Sequence, residues 1–164
     1  KKQDLNMELR DKLKITHNTY SIFSHTTFYK KLLGLLVKKG KKTVSKRILD
    51  KAFLETAATV NLPLHLVFIN IFLKLNSFVE VKRVRVKRSF HLVPFQITLK
   101  RRSYLIVKWL MQAVKSDKRN LPTVEKLAFE IEQTLKTDSS KSLKLRNLNL
   151  TTALSNRSNL HYRW

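Results

Sequence analysis

No cysteine occurs among the 164 residues, which excludes a disulfide framework and any thiolate metal site. Gly34 and Gly40 are the only glycines, against an ordinary share of ~7%. Two glycines so placed cannot form a Gly-x-Ser-x-Gly nucleophile elbow or a dinucleotide-binding fingerprint. The stretch from Gly34 to Lys42 approaches a P-loop. It has one residue too many between its glycines, and Lys42 stands where Ser or Thr would bind magnesium. Acids are few, 11 Asp and Glu scattered along the chain, so paired-carboxylate catalysis is not expected. His17, His25, His65, His91 and His161 show no metal-ligand spacing and read as core or surface histidines. Enzyme activity, a cofactor, a metal and a small-molecule substrate are therefore not expected.

Long hydrophobic runs are lacking too. The most apolar stretch, Leu62 to Leu75, is shorter than the ~18 residues a membrane span needs and carries Pro63, His65, Asn70 and Lys74. It reads as a buried core helix, and no membrane is expected as a partner. Lys1 and Lys2 lead into a polar stretch, so no secretory signal is expected.

What the chain does have is positive charge. Thirty-four Lys and Arg leave a net +23, and such a chain repels itself when compact unless a polyanion neutralises it. Nucleic acid or an anionic membrane surface meets that need, whereas a solvated basic surface is the ordinary alternative. Hydrophobic content of 43% is enough for a real core, so the body folds and is not a disordered basic tail. Abundant Leu, Lys, Asn and Phe with scarce Ala suggest an AT-rich coding sequence, which favours an organellar genome.

Periodicity divides the chain into an extension, residues 1–24, and one domain, 25–164. The extension is weakly patterned, with Leu5, Leu9 and Leu13 as a short amphipathic turn. Apolar spacing predicts a first helix from Thr26 to Lys38, and Gly40 fits the left-handed position after it. A second helix runs from about Thr43, read as its N-cap, to Val60 through Val44, Ile48, Leu49, Ala52, Phe53 and Ala57. The apolar run is the third, with Pro63 in its first turn. The period then becomes twofold: Val79, Val81, Val84 and Val86 on one strand, with His91, Val93, Phe95, Ile97 and Leu99 returning. This gives a β-hairpin over about 78–99, long enough to project from a small body. A parity slip between Val81 and Val84 predicts a bulge near Lys82-Arg83. Pro94 requires its backbone nitrogen to face away from the partner strand. A fourth helix, Arg101 to Lys115, carries the polar stripe Arg101, Lys108, Gln112, Lys115. A fifth covers Pro122 to Leu135, a loop 136–142, and a last helix leads toward the terminus. The fold class is mainly α, about six helices with one protruding two-stranded hairpin.

Cation placement adds to net charge. Lys41 and Lys42 precede the second helix, and Arg101 and Arg102 open the fourth, where cations oppose the helix dipole but phosphate binds free N–H groups. The alternative is that these side chains simply point into water. Lys82, Arg83, Arg85, Lys87 and Arg88 crowd the first strand and its turn, more than an edge strand needs against aggregation. Phe90 and His91 beside them are placed to stack on bases. Glu125, Glu130 and Glu132 give the fifth helix the opposite sign, a surface facing away from phosphate or toward a basic protein.

These residues resemble the bacterial-type family of small-subunit ribosomal protein seven over about 25–164. The likeness rests on Gly40-Lys41-Lys42-Thr43-Val44 with Arg47-Ile48, then Val79-Glu80-Val81-Lys82, Arg85-Val86 and Val93-Pro94. It continues in Arg101-Arg102, Lys108-Trp109-Leu110 and Ala113, with Glu125-Lys126-Leu127-Ala128 adding to it. It ends at Asn156-Arg157-Ser158 and His161-Tyr162-Arg163-Trp164. The resemblance implies six helices with a hairpin, and a protein that binds early and organises the 3′ major (head) domain of small-subunit rRNA. It implies neighbouring head proteins as partners and a hairpin near exit-site tRNA and the mRNA path. By the same likeness RNA contact falls on Lys41, Lys42, Lys82, Arg85, Arg101, Arg102, Arg157 and the final four residues. Arg83, Lys87, Arg88, Lys144 and Arg146 complete the candidate set. Three departures stand out: Lys87-Arg88 replaces a Gly-Gly pair in the hairpin, the third helix is unusually apolar, and Asn147 and Leu148 stand where acids open the last helix. Without Gly-Gly, a turn longer than two residues, from Lys87 to Phe90 with Ser89 bonding nearby backbone, is expected. Such departures suit a mitochondrial member, with plastid or bacterial cytoplasm as alternatives. The rival function is a DNA-architectural protein with a basic hairpin arm, which preference for duplex DNA over structured RNA would reveal.

Overall fold

The computed structural model describes residues 27–137 and 139–163. The extension 1–24, His17, His25, Thr26 and Trp164 lie outside the described residues. The order is α1 (Thr27–Leu36), α2 (Lys42–Val60), α3 (Leu64–Leu75), β1 (Val79–Val86), β2 (Ser89–Gln96), α4 (Leu99–Lys115), α5 (Thr123–Lys136), α6 (Lys141–Ser155) and a 3-10 helix (Arg157–Tyr162). The chain is mainly helical with one antiparallel hairpin, as its periodicities predict.

Helix α4 holds the body together because it is buried on two sides. Ile106, Val107, Leu110, Met111 and Val114 enter the main core with Leu32 of α1, Leu49 and Phe53 of α2, Val67 and Ile71 of α3, and Leu127 and Ile131 of α5. Its other side places Leu105 and Trp109 with Ile97 and Leu145, a small cluster between the foot of the hairpin and α6. Arg101, Lys108, Gln112 and Lys115 form the exposed stripe, as expected. Residues in α2 follow the pattern less fully: Leu49, Ala52 and Phe53 are buried, but Val44 is exposed because it lies in the first turn, beyond the core.

The apolar run is a core helix on one face only. Leu64, Val67, Phe68, Ile71 and Leu75 are buried, whereas Leu66, Ile69 and Leu73 lie at the surface. Phe68 stacks on Phe53 at 4.3 Å and meets Phe28 edge-on at 6.0 Å. Pro63 occupies the N-cap position and not the first turn, so its extended backbone starts α3.

Other boundaries differ by a few residues. Lys41 is the N-cap of α2, which puts Thr43 inside the first turn. The loop expected over 136–142 is shorter, because Ser140 caps α6 by accepting from Leu143 N. Asn147 and Leu148 consequently fall in mid-helix. Glu130 is buried and is not part of an acidic surface: its carboxylate accepts from Ser142 N and Ser142 Oγ, both at 2.8 Å. A carboxylate at that helix N-terminus meets the positive end of the dipole and fixes α6 to α5.

Pairing in the hairpin is continuous from Val79↔Gln96 to Val86↔Ser89. The expected bulge is absent, because the parity slip reflects a change of which face is apolar, not an extra residue. Val79, Val81, Arg83 and Arg85 share one face with Gln96, Pro94, Leu92 and Phe90, by strand alternation. The turn is the shortest possible, Lys87-Arg88, and not the longer one expected. Lys87 takes φ 54, the left-handed backbone that the replaced glycine would have supplied. Ser89 Oγ donates to Val86 O at 3.2 Å across the turn.

Candidate nucleic-acid interface

The α1–α2 turn presents the first cation pair. Lys39 (φ 51) and Gly40 (φ 73) both have left-handed backbone, which reverses the chain within a few residues. Ser45, buried, donates from Oγ to Leu36 O and Lys41 O, so one hydroxyl joins the end of α1 to the start of α2. Lys41 and Lys42 are left exposed at a helix start with no side-chain cap and no acid in its first turn.

The hairpin foot, the start of α4 and the C-terminal segment form a second, connected surface. Arg101 grips Glu80 of β1 with two bonds, Nε to Oε2 at 2.8 Å and Nη2 to Oε1 at 2.6 Å. That bidentate hydrogen bond holds the Glu80 carboxyl below its ordinary pKa and raises the guanidinium of Arg101. Arg102 lies over the ring of Phe78 at 4.2 Å and donates to Ile97 O at 3.4 Å. Lys82 (5.2 Å) and Arg163 (5.9 Å) both approach the ring of Phe95. Cations held against rings keep their charge while losing side-chain freedom.

Two asparagines, not anticipated from sequence, hold the hairpin to the C-terminal segment. Asn149 Nδ2 donates to Val79 O at 2.7 Å, and Asn149 Oδ1 accepts from Val81 N at 3.5 Å. Asn159 Nδ2 donates to Leu92 O at 3.1 Å. Each asparagine satisfies outward backbone groups on one strand edge. Ile97 N donates to Phe78 O, so by alternation Val81↔Pro94 is a pair without ladder hydrogen bonds and the Pro94 nitrogen faces outward. No local sequence signal marks an asparagine whose partner is about 70 residues away. Phe78, on which Arg102 rests, escaped notice because it precedes the strand pattern.

The candidates do not all stand alike. Arg83, Arg85, Lys87 and Arg88 are exposed along the outer hairpin, and Arg85 Nε donates back to Lys87 O at 3.3 Å. Phe90 is 63% exposed on the same face as Arg85. His91 is on the opposite face, stacked on Tyr162 at 4.8 Å and hydrogen-bonded to Ser89, so one face of its ring is already covered. His161 also lies against Tyr162, at 3.9 Å. Arg157 and Lys144 are exposed. The guanidinium of Arg146 is turned inward, donating to Lys74 O at the end of α3 and to Asn147 Oδ1. Among the described residues no group of His, Cys, Asp or Glu could hold a metal ion, and no single helix is long and apolar enough to cross a membrane.

The family model described as ribosomal protein S7p/S5e matches residues 7–157. The chain is similar to small ribosomal subunit protein uS7 of Wigglesworthia glossinidia brevipalpis, 31% identical over 82% of this chain and 85% of that protein. It is 30% identical to uS7m of Reclinomonas americana, over 82% of this chain and 83% of that protein. The uS7 protein of Thermotoga maritima is also 30% identical, over 82% and 85%.

Proposed function

The chain belongs to the ribosomal protein S7p/S5e family and is an RNA-binding structural constituent of the small ribosomal subunit, and we propose that it binds and organises the 3′ major domain of small-subunit rRNA in the head. The observation that carries this is the surface on which Lys82, Arg101, Arg102, Arg157 and Arg163 are brought together from three segments, with Lys82, Arg102 and Arg163 resting on Phe78 or Phe95. Residues 25–164 act as one RNA-binding domain with 1–24 as an extension. Lys41, Lys42 and the α4 start bind the body to rRNA. The outer hairpin, through Arg83, Arg85, Lys87 and Arg88, runs toward exit-site tRNA and the mRNA path. Lys144 in the first turn of α6, and His161, Tyr162 and Trp164 at the C-terminus, extend the contact.

The role is architectural and not enzymatic: the chain supplies fixed cations that neutralise phosphates folded close together, which would otherwise repel. Likeness to a uS7m protein and the AT-rich composition favour a mitochondrial ribosome. Sucrose-gradient sedimentation of the source organelle at high magnesium tests the reading. The protein is expected in the small-subunit fraction; a largely free pool, or one that follows DNA after ribonuclease treatment, would overturn it in favour of the DNA-architectural alternative.

A further inference from the structure

Beside the hairpin foot lies an open groove of about 390 Å³, with Phe78, Val79 and Pro94 on one side and Leu154, Leu160 and Ala153 on the other. Its size falls among small-ligand clefts, roughly 300–1,000 Å³. Single exposed apolar residues are ordinary, but here Phe78 (58% exposed), Leu154 (69%) and Leu160 border the same groove. Arg157 and Arg163 line it as well, Gln96 supplies one amide, and no acid lines it. Arg102 covers Phe78 at 4.2 Å, so a further cation stands behind the wall.

We propose that this groove receives one unpaired nucleotide of the bound RNA, its base against Phe78 and Leu154 and its phosphate at Arg157 and Arg163. The proposal rests on the rRNA-binding reading above and names the feature of the RNA that this part of the site recognises. An apolar floor with a cationic border is complementary to a base and its phosphate. A paired base would not enter, because its faces are covered by its neighbours, whereas splayed bases stack on aromatic side chains. A peptide strand cannot add to the hairpin foot, since Asn149 and Asn159 already occupy its edges. A wholly apolar protein partner would bury Arg157 and Arg163 without counter-charge, a costly arrangement. The hairpin face that lines the groove through Val79, Pro94 and Gln96 continues outward as Arg83, Leu92, Arg85 and Phe90, so cation and apolar side chain alternate along the path the flanking RNA would take.

The test uses the full chain with three probes: a short single-stranded RNA of mixed sequence, an RNA duplex of equal length, and a transcript of the small-subunit rRNA 3′ domain. Phe78→Ala should weaken single-strand binding by about 5- to 150-fold, the range for loss of one stacked base. Duplex binding and the salt dependence should hardly change. Leu154→Ala, which leaves Arg102 undisturbed, should weaken the same probe in the same direction, and Phe78→Tyr should restore it. Equal loss on single strand and duplex, or no loss with either variant, overturns the groove while rRNA binding by the wild type stands. Failure of the wild type to bind any probe overturns the rRNA-binding reading itself. If the variants keep transcript affinity but lose neighbouring head proteins from assembled subunits, the groove takes a protein and the proposal is wrong.

Discussion

Replacing Lys41 and Lys42 together by Gln should flatten the salt dependence of rRNA binding, whereas Arg146→Gln should leave it unchanged. Eleven of the thirteen candidate Lys and Arg residues are exposed, and of these Arg101 is bridged to Glu80, leaving about ten exposed cations to meet phosphate besides those held at the start of α4. Each neutralised phosphate contributes ~0.9 to the slope of log affinity against log salt, and roughly six to ten contacts lower affinity by ~10³–10⁵ between about 50 and 200 mM. The double variant should reduce that slope by about 1.8 and so lose roughly tenfold less affinity over the same interval. Arg146 differs because its guanidinium is committed to Lys74 O and Asn147 Oδ1. Its loss removes a charge-assisted hydrogen bond to the partly buried Lys74 O, about 1.5–3 kcal/mol of stability, with no phosphate contact removed. Filter binding to a 3′-domain transcript across a potassium chloride series measures both slopes, and urea unfolding measures stability. An unchanged slope for the lysine pair, or a flattened one for Arg146→Gln, would refute the assignment of these cations by exposure and partner.

Three further outcomes are expected. Phe68→Ala should cost about 3–5 kcal/mol in urea unfolding, because Phe68 packs on Phe53 and Phe28, while Leu73→Ala, at 65% exposure, should stay within about 0.5 kcal/mol; equal effects would contradict the one-sided burial of α3. The Glu80 carboxyl is lowered in the folded state by Arg101, so its stabilising contribution is present above the ordinary carboxylate range and lost as pH falls through the lowered folded value. Glu80→Gln should therefore flatten that acid limb of the stability–pH curve, and an unaltered limb would count against the bridge. Lys87→Gly should preserve the two-residue turn, whereas Lys87→Pro should open it, because the proline ring holds φ near −65° and the turn needs φ 54; persistence of the Val86–Ser89 cross-strand NOE in the proline variant would show a different turn.

Much of this architecture could be read from the chain because its signals are local. The stripe Arg101, Lys108, Gln112, Lys115 falls at helical spacing, and that spacing alone puts it on one face of α4. Gly40 after an apolar helix pointed to a left-handed turn, and the turn is there. Alternating valines disclosed the hairpin, although they misled on the bulge: alternation reports which face is apolar, and here the apolar face changes midway while the pairing does not. Lys87 misled for a related reason. A non-glycine residue with positive φ costs little enough that strand pairing on either side can impose it.

What the sequence determined by itself was the class of partner and the list of elements, since net charge needs no fold to be counted and helix or strand period is set within a few residues. Tertiary structure alone decided which cations are available. Arg146 and Arg157 look alike in the chain, yet one is turned onto the Lys74 carbonyl in the last turn of α3 and the other lines an open groove. It also decided that Glu130 is an internal cap for α6, and that Phe78, Asn149 and Asn159 shape the hairpin foot. Contacts between residues about 70 positions apart depend on how helices pack, and packing is a property of the whole core rather than of any segment.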